Sequence, residues 1–184
     1  MNAPLEHEAI EADIRRWLER AVIGQNLCPF AKAVYVRDQV RIKVSDAGNI
    51  DDLREELGEE MLLLRDTPAE EIDTTLIVLP SVLGDFFDYN DFLDDADALL
   101  AALELEGVLQ VASFHPEYQF AGTEFDDAGN NTNRAPYPVL HLLREESLDR
   151  AVAAYPEPDT IIERNIKTMD ALGNDGYRKL LSAD

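Results

Sequence analysis

The sequence predicts an α/β or α+β fold, a single-domain sandwich in which a sheet of three to four strands is covered by about five helices. Amphipathic segments with apolar residues at helical spacing alternate along the chain with short apolar runs that are typical of strands. The chain has 184 residues, of which 46% are apolar, and is therefore long enough to bury one core. We therefore expect residues 1–184 to form one globular domain, with a frayed terminus at residues 1–8.

The first half of the chain predicts two helices and two strands. The first helix should end at Gly24, because apolar residues recur at helical spacing before it: Ile10, Ile14, Trp17, Leu18, Ala21 and Val22. Residues 33–36 and Val40–Val44 alternate apolar and polar positions around a turn, which predicts a hairpin or a single strand. A helix capped by Asn49 or Asp51 should follow and run to about Arg65. Residues 74–79, TTLIVL, predict a strand buried on both faces.

The second half predicts a long amphipathic helix from Tyr89 to Leu105 and a strand over residues 108–114. A further helix is expected to begin at Pro138, because proline is favoured at the first helical position. Its apolar face would consist of Leu140, Leu143, Leu148, Ala151 and Val152. Pro156 and Pro158 should end it, and a last helix should start after Asp159.

Charge and cysteine content narrow the possible environments and partners. The formal net charge of −22 disfavours binding to nucleic acid and to anionic membranes, since both depend on clustered Lys and Arg. No apolar run is long enough to span a membrane, and the N-terminal sequence does not have the pattern of a secretory signal. Cys28 is the sole cysteine, so an internal disulfide is excluded and a reducing, cytoplasmic location is expected. The oligomeric state is left open.

The segment from Ser113 to Glu145 is the main candidate for a functional region. It lies between a predicted strand and a predicted helix, lacks a periodic apolar pattern and contains several aromatic residues, which together indicate an ordered loop that builds a pocket. His115 stands where the strand ends, a position at which α/β sheets often place ligand chemistry. It is therefore a candidate acid or base, although a structural, hydrogen-bonded histidine would fit the same position.

Two arginines in this region predict an anionic ligand. Between Arg65 and Arg134 the sequence has no Lys or Arg at all, so Arg134 and Arg144 stand out. On the predicted helix Arg144 would share a face with His141, and both side chains would lie near free helix amides that favour a carboxylate or phosphate. Asn131 and Asn133, which precede Arg134, are further candidate ligand-binding residues. The alternative is that Arg144 pairs with Glu145 or Glu146 and that Arg134 holds the acidic loop in place.

Cys28 is the third element of the hypothesis. If a helix begins at Pro29, Cys28 occupies its cap, where the helix dipole would lower the thiol pKa and create a nucleophile. A histidine such as His115 or His141 could then accept the thiol proton, as in a minimal thiol-nucleophile pair. The same three side chains with a loop carboxylate would also suit zinc by donor type, but no closely spaced ligand pair supports a metal site. A small buried hydrophobe is the alternative role for this cysteine.

Several blocks of the sequence resemble the bacterial protein family known as domain of unknown function 1415. These blocks are IGQNLCPFAKAV, VLP with FFDYNDFLDDAD, LEGVLQVASFHPEYQFAG, and NNTNRAPYPVLHLLREESLDRAVAAYPEPDTIIERNI. The similarity runs from about Trp17 to about Ile166 and implies a small cytoplasmic bacterial protein. It implies no activity, cofactor or catalytic residue, although the blocks include the polar residues singled out above.

Three hypotheses about function follow. The preferred one is a small-molecule enzyme or binder with a Cys/His/Arg pocket for an anionic ligand, formed where the strand end at His115 meets the start of the helix carrying His141. The second is a non-catalytic interaction protein that uses the acidic helical surface of residues 85–106, which contains eight Asp and Glu residues, to bind a basic partner. The third is a metal-binding protein. Enzymatic activity and cofactors stay undetermined at this level.

Overall fold

The computed structural model describes residues 3–183, which form a helical protein built around one sheet. The strands are β1 (Val40–Val44), β2 (Thr74–Val78), β3 (Leu109–Phe114) and β4 (Val139–Arg144), in the order β1-β2-β4-β3. β1 runs parallel to β2, whereas β4 runs antiparallel to both β2 and β3. The sheet is therefore mixed, and the predicted fold class is confirmed in its α+β form.

The helices account for most of the remaining chain. They are α1 (Ala3–Trp17), which continues into a π-helical segment (Leu18–Ile23), α2 (Ala31–Val36), α3 (Ile50–Asp66), α4 (Phe86–Ala102), α5 (Glu145–Ala154) and α6 (Ile161–Leu181), with 3₁₀ segments at Ala128–Asn133 and Pro158–Thr160. The predicted cap of α3 is confirmed, since the Asn49 side chain accepts a hydrogen bond from the Asp52 amide at 3.0 Å. Within residues 3–183, no helix combines the length and the apolar character needed to cross a membrane.

Helices cover both faces of the sheet. One face, the α3–α4 face, packs Ile77, Leu140 and Leu142 against the buried sides of α3 and α4. The other, the α1–α6 face, packs Leu76 and Val139 against α1, the π-helical segment and α6. Successive side chains of a strand point to opposite faces, so both central strands, β2 and β4, are apolar on both sides.

The prediction of a helix beginning at Pro138 is wrong. Residues 139–144, VLHLLR, form the central strand β4, and α5 begins only at Glu145. A short apolar run buried on both faces has no period of its own, so the spacing of Leu140 and Leu143 fitted a helix equally well. The tertiary structure favours a strand because β4 lies between β2 and β3 and pairs with both.

One further difference lies near the N-terminus. Residues 33–36 were predicted to be extended, but they belong to α2, and a turn with Asp38 at φ 58° leads from that helix into β1. Ala31, Val34 and Tyr35 lie at helical spacing, and this short pattern fitted an alternating one as well. Residues 3–8 lie at the start of α1, whereas residues 1 and 2 lie outside the described part of the chain, and fraying of residues 1–8 stays a prediction.

Candidate functional site

A cavity of about 510 Å³, the main cavity, lies on the α1–α6 face of the sheet. Side chains from all four strands form its floor: Val40, Thr74, Leu76, Ala112, Phe114, His141 and Leu143. Its walls come from the π-helical segment with Trp17, from α2 with the turn before it, and from α5. Ala33 of α2 and Ala154 of α5 line the cavity and are exposed, so it opens to solvent between these two helices.

His141 occupies the middle of the cavity floor. It lies on the central strand β4, directly opposite Leu76 of β2 and Ala112 of β3. Apart from Thr74, its neighbours on the floor are apolar, and the Phe114 ring lies 6.0 Å away between ring centroids. The ring is surrounded by protein but still borders the cavity, and burial lowers the pKa of His141 to about 4. His141 is therefore a neutral imidazole at neutral pH.

The hydrogen bonds of Thr74 determine which nitrogen of His141 carries the proton. The Thr74 hydroxyl lies 2.6 Å from the Leu142 carbonyl oxygen and 2.7 Å from His141 Nε2. A carbonyl oxygen can only accept, so the single hydroxyl proton is donated to Leu142. Nε2 must then donate its own proton to Thr74, which leaves Nδ1 as an unprotonated acceptor. Among the described residues, no protein group donates a hydrogen bond to this Nδ1.

Cys28 lies in the turn before α2 and borders the same cavity. The predicted activation of its thiol by a helix terminus is wrong, because α2 begins at Ala31 and Phe30 is its capping residue. Burial raises the pKa of the Cys28 thiol, and the backbone amides of Phe30 and Ala31 offset only part of that rise. The resting thiol is therefore neutral, like the imidazole of His141 that lines the cavity with it.

We expect Cys28 to react slowly with iodoacetamide at neutral pH, because little thiolate is present. The rate should be about tenfold lower than in the denatured protein, and it should still be rising above pH ~8.5, the ordinary thiol pKa. Mass spectrometry of samples quenched over time at several pH values measures this directly, since Cys28 is the only thiol. A rapid reaction with an apparent pKa below ~8.5 would contradict the burial argument and support a thiolate nucleophile.

Charged groups lie at one end of the cavity, where β2 begins and α5 follows β4. Asp73 and Ser147 both line it, and the Ser147 hydroxyl donates a hydrogen bond of 2.6 Å to the Asp73 carboxylate. Arg144 also borders the cavity, but its guanidinium extends to the C-terminal end of α3. There it donates to the carbonyl oxygens of Leu64, Thr67 and Ile72 at 2.5–3.3 Å.

The partners of Arg144 give it a structural role. The last carbonyls of a helix lack intrahelical partners and carry partial negative charge, so a guanidinium at that position satisfies and stabilises them. The predicted sharing of one helical face by His141 and Arg144 is wrong: on a strand, residues three apart point to opposite faces. The predicted helix amides beside these two side chains are likewise replaced by strand β4.

His115 lies on the other side of the sheet from His141. Its ring is fully buried and packs against Phe86 and Tyr89, with centroid distances of 5.4 and 5.0 Å. Nε2 donates to the Leu83 carbonyl oxygen at 3.1 Å, and Nδ1 accepts from the Glu117 amide at 3.0 Å. Burial lowers the pKa of His115, which favours the neutral ring. In this one neutral form, both ring nitrogens have hydrogen-bond partners. The prediction that His115 and His141 form one pocket is therefore wrong, because the two rings lie on opposite sides of the sheet.

The loop after β3 is held by hydrogen bonds and ring contacts, but no residue from 115 to 138 lines the main cavity. Arg134 donates to the carbonyl oxygens of Tyr118 and Phe125 and stacks over the Phe125 ring, so it ties the loop together. Asn131 donates to the Asn174 side chain of α6, and Asn133 donates to the Ser113 carbonyl. The proposed ligand-binding role of Asn131, Asn133 and Arg134 stays a prediction.

The structure thus brings Cys28 and His141 to one cavity and separates them from His115 and the Asn131–Arg134 group. Sequence reasoning missed the cavity-lining residues Thr74, Asp73, Ser147 and Tyr35. No local signal identified them, because Thr74 fitted a buried strand and the other three fitted a solvated surface. Trp17 is 1% exposed, which makes it a core residue, and it also borders the cavity.

A second cavity, of about 490 Å³, lies between the starts of α3 and α4 and is lined in part by Asp88, Asp91 and Asp95. Asp95 pairs with Arg54 at 2.7 Å, while the Asp85 carboxylate caps α4 by accepting from two backbone amides. Within residues 3–183 no group of three or more His, Cys, Asp or Glu side chains is arranged to hold a metal ion. The acidic docking surface and the metal-binding hypothesis have no further support here and stay predictions.

Comparison with known proteins gives one family match. The family model described as "Protein of unknown function (DUF1415)" matches residues 9–179. The resemblance noted in the sequence is therefore confirmed. No curated protein and no solved structure matches the chain.

Proposed function

We propose that this chain, which belongs to the DUF1415 family, binds a small and largely apolar molecule in the main cavity. The observation that carries the proposal is the cavity itself, at about 510 Å³ with Cys28 and His141 in its wall. Small-molecule sites are typically clefts of roughly 300–1,000 Å³, mostly apolar, with a few polar groups that orient the ligand.

The lining supports a neutral ligand. Apolar and aromatic side chains dominate it, among them Trp17, Leu76 and Phe114. His141 and Cys28 along the wall are both neutral because burial disfavours their charged forms, and the charged residues Asp73 and Arg144 lie at one end of the cavity. A ligand that buries apolar surface would gain roughly 25 cal/mol for each Å² removed from water.

An anionic ligand stays a prediction with less support from the described contacts. The cation at the cavity, Arg144, already donates to three backbone carbonyls through Nε and Nη2. Asp73 beside it is negatively charged, and the net charge of −22 repels anions at long range. An anion would therefore meet the neighbouring carboxylate of Asp73 and an apolar lining, and burying its charge there carries a cost.

Catalysis by Cys28, His115 and His141 also stays a prediction. The shared cavity wall favours the pair of Cys28 and His141 over any pair that includes His115, which lies on the opposite face of the sheet. A neutral thiol and a neutral imidazole are the resting forms from which an imidazole could accept a thiol proton. Binding is the part of the hypothesis that the cavity supports directly, and it is the part to test first.

The test is to introduce a larger side chain on one wall of the cavity, so that it occupies part of the space available to a ligand. Ala151 and Ala153 lie on the same helix, α5, but Ala151 lines the cavity whereas Ala153 is exposed and does not. We expect Nile red, a neutral apolar dye, to bind the wild-type protein with increased fluorescence. Ala151→Phe should weaken that binding by at least about tenfold, because a phenyl ring would occupy space the dye needs.

Ala153→Phe is the matched control and should leave dye binding unchanged. Circular dichroism of both variants checks that the fold is retained. Equal dye binding by the two variants would place the dye elsewhere and contradict the proposal, as would the absence of any dye binding by the wild-type protein.

A further inference from the structure

A ligand that fills the main cavity must provide a hydrogen-bond donor to the unprotonated Nδ1 of His141. This step rests on the proposed function and deepens it by naming the class of ligand. The Thr74 hydroxyl donates to Leu142, so His141 must donate through Nε2 and present Nδ1 as an acceptor. The described residues supply no donor to it.

Nδ1 borders the open cavity, where water can pair with it, but a ligand that fills the cavity displaces that water and leaves the acceptor unpaired unless the ligand brings a donor. Leaving a buried acceptor unpaired costs roughly as much as its lost hydration, so such atoms nearly always have a protein, water or ligand partner. The floor residues on either side of His141, Leu76 and Ala112, have no side-chain donor. The partner must therefore come from within the cavity.

We infer that His141 Nδ1 accepts a hydrogen bond from a neutral hydroxyl group of the ligand, so that the ligand class is a small, largely apolar alcohol or phenol. The cavity walls bury the carbon skeleton, and Nδ1 of His141 on the floor selects for the hydroxyl and orients it. A charged ammonium donor fits less well, because burying its charge beside apolar side chains without a counter-ion is far more costly. His141 is then the specificity-determining residue of this site.

The experiment compares two ligands that differ in the donor alone. 2-Naphthol carries a hydroxyl, whereas in 2-methoxynaphthalene a methyl group replaces the hydroxyl proton. Both are titrated as competitors of bound Nile red at pH 7, where both are uncharged. For the wild-type protein we expect 2-naphthol to displace the dye at about tenfold lower concentration, the size of effect expected when one buried acceptor is paired or left unpaired.

Two variants identify the acceptor. His141→Phe keeps a ring of similar size and removes the acceptor, so the two competitors should become about equally effective while Nile red still binds. Ala153→Phe changes an exposed residue outside the cavity and should leave the preference for 2-naphthol unchanged. Retained dye binding shows in each case that the variant is folded and the cavity intact.

The inference is overturned if the wild-type protein does not distinguish the two compounds, which would mean that water satisfies Nδ1 in either complex. A preference that persists in His141→Phe, or disappears in Ala153→Phe, would also overturn it. Each of these outcomes leaves the proposed function standing, because the dye is still displaced from the cavity. Failure of the proposed function differs: neither compound then competes, and Ala151→Phe binds the dye as the wild type does.

Discussion

Replacing His115 by alanine is expected to lower the free energy of unfolding by about 3–4 kcal/mol. The fully buried ring fills space between Phe86 and Tyr89, and its loss would leave a cavity. The Leu83 carbonyl and the Glu117 amide would also lose their partners. Leu83 has a φ of 57°, an unfavourable conformation for leucine, so the bond to His115 holds a strained turn in place.

Urea unfolding followed by circular dichroism measures this effect, and dye binding in the absence of urea measures the function separately. His7→Ala is a suitable control, since His7 is partly exposed and pairs with the exposed Asp46 at 3.2 Å. That change should cost less than about 1 kcal/mol. If His115→Ala kept its stability and lost ligand binding instead, His115 would be restored as a functional residue.

Replacing Arg144 by alanine is expected to cost about 3 kcal/mol of stability. The guanidinium donates to three carbonyl oxygens that come from the last turn of α3 and the segment leading into β2. Its removal unpairs all three and also removes a positive charge from the negative end of the helix. Arg144→Lys should lie between wild type and Arg144→Ala, because an ammonium lacks the planar fork that reaches several carbonyls together.

Arg54→Ala provides the comparison for an arginine on the surface of α3. Arg54 bonds to the exposed Asp51 and to Asp95, and exposed pairs of this kind contribute little. Unfolding in urea at low and moderate salt distinguishes the two arginines, since screening should diminish only the effect of Arg54. An unchanged unfolding curve for Arg144→Ala, together with altered binding of an anion, would support the ligand-binding role predicted from the sequence.

The sequence predicted the parts of the fold whose signals are local. α3 has a cap at Asn49 and a long amphipathic pattern, and the helix predicted from Tyr89 corresponds to most of α4. β2 lies within a continuous apolar run that ends in a proline. Helix spacing and capping depend on residues within a few positions of one another, so these elements can be derived from the chain alone. The family was likewise identified from short blocks of sequence, which can be recognised without the tertiary structure.

The candidate site could not be derived in this way. Cys28 and His141 were both singled out for their chemistry, but their common cavity depends on β4 lying in the centre of the sheet and α2 lying across it. His115 and Arg144 were singled out as well, and their partners come from segments far away in the sequence. A side chain's chemical type indicates what it can do, whereas its partners determine whether it is free to do it.

The sequence by itself determined the fold class, most of the element boundaries and the family, together with a short set of chemically capable residues. The tertiary structure alone decided that residues 139–144 form a strand, since only pairing with β2 and β3 favours that conformation over a helix. The strand conformation also determines where the side chains of His141 and Arg144 point. On a helix His141 and Arg144 would share a face, but on a strand alternation turns His141 toward the main cavity and Arg144 toward the end of α3.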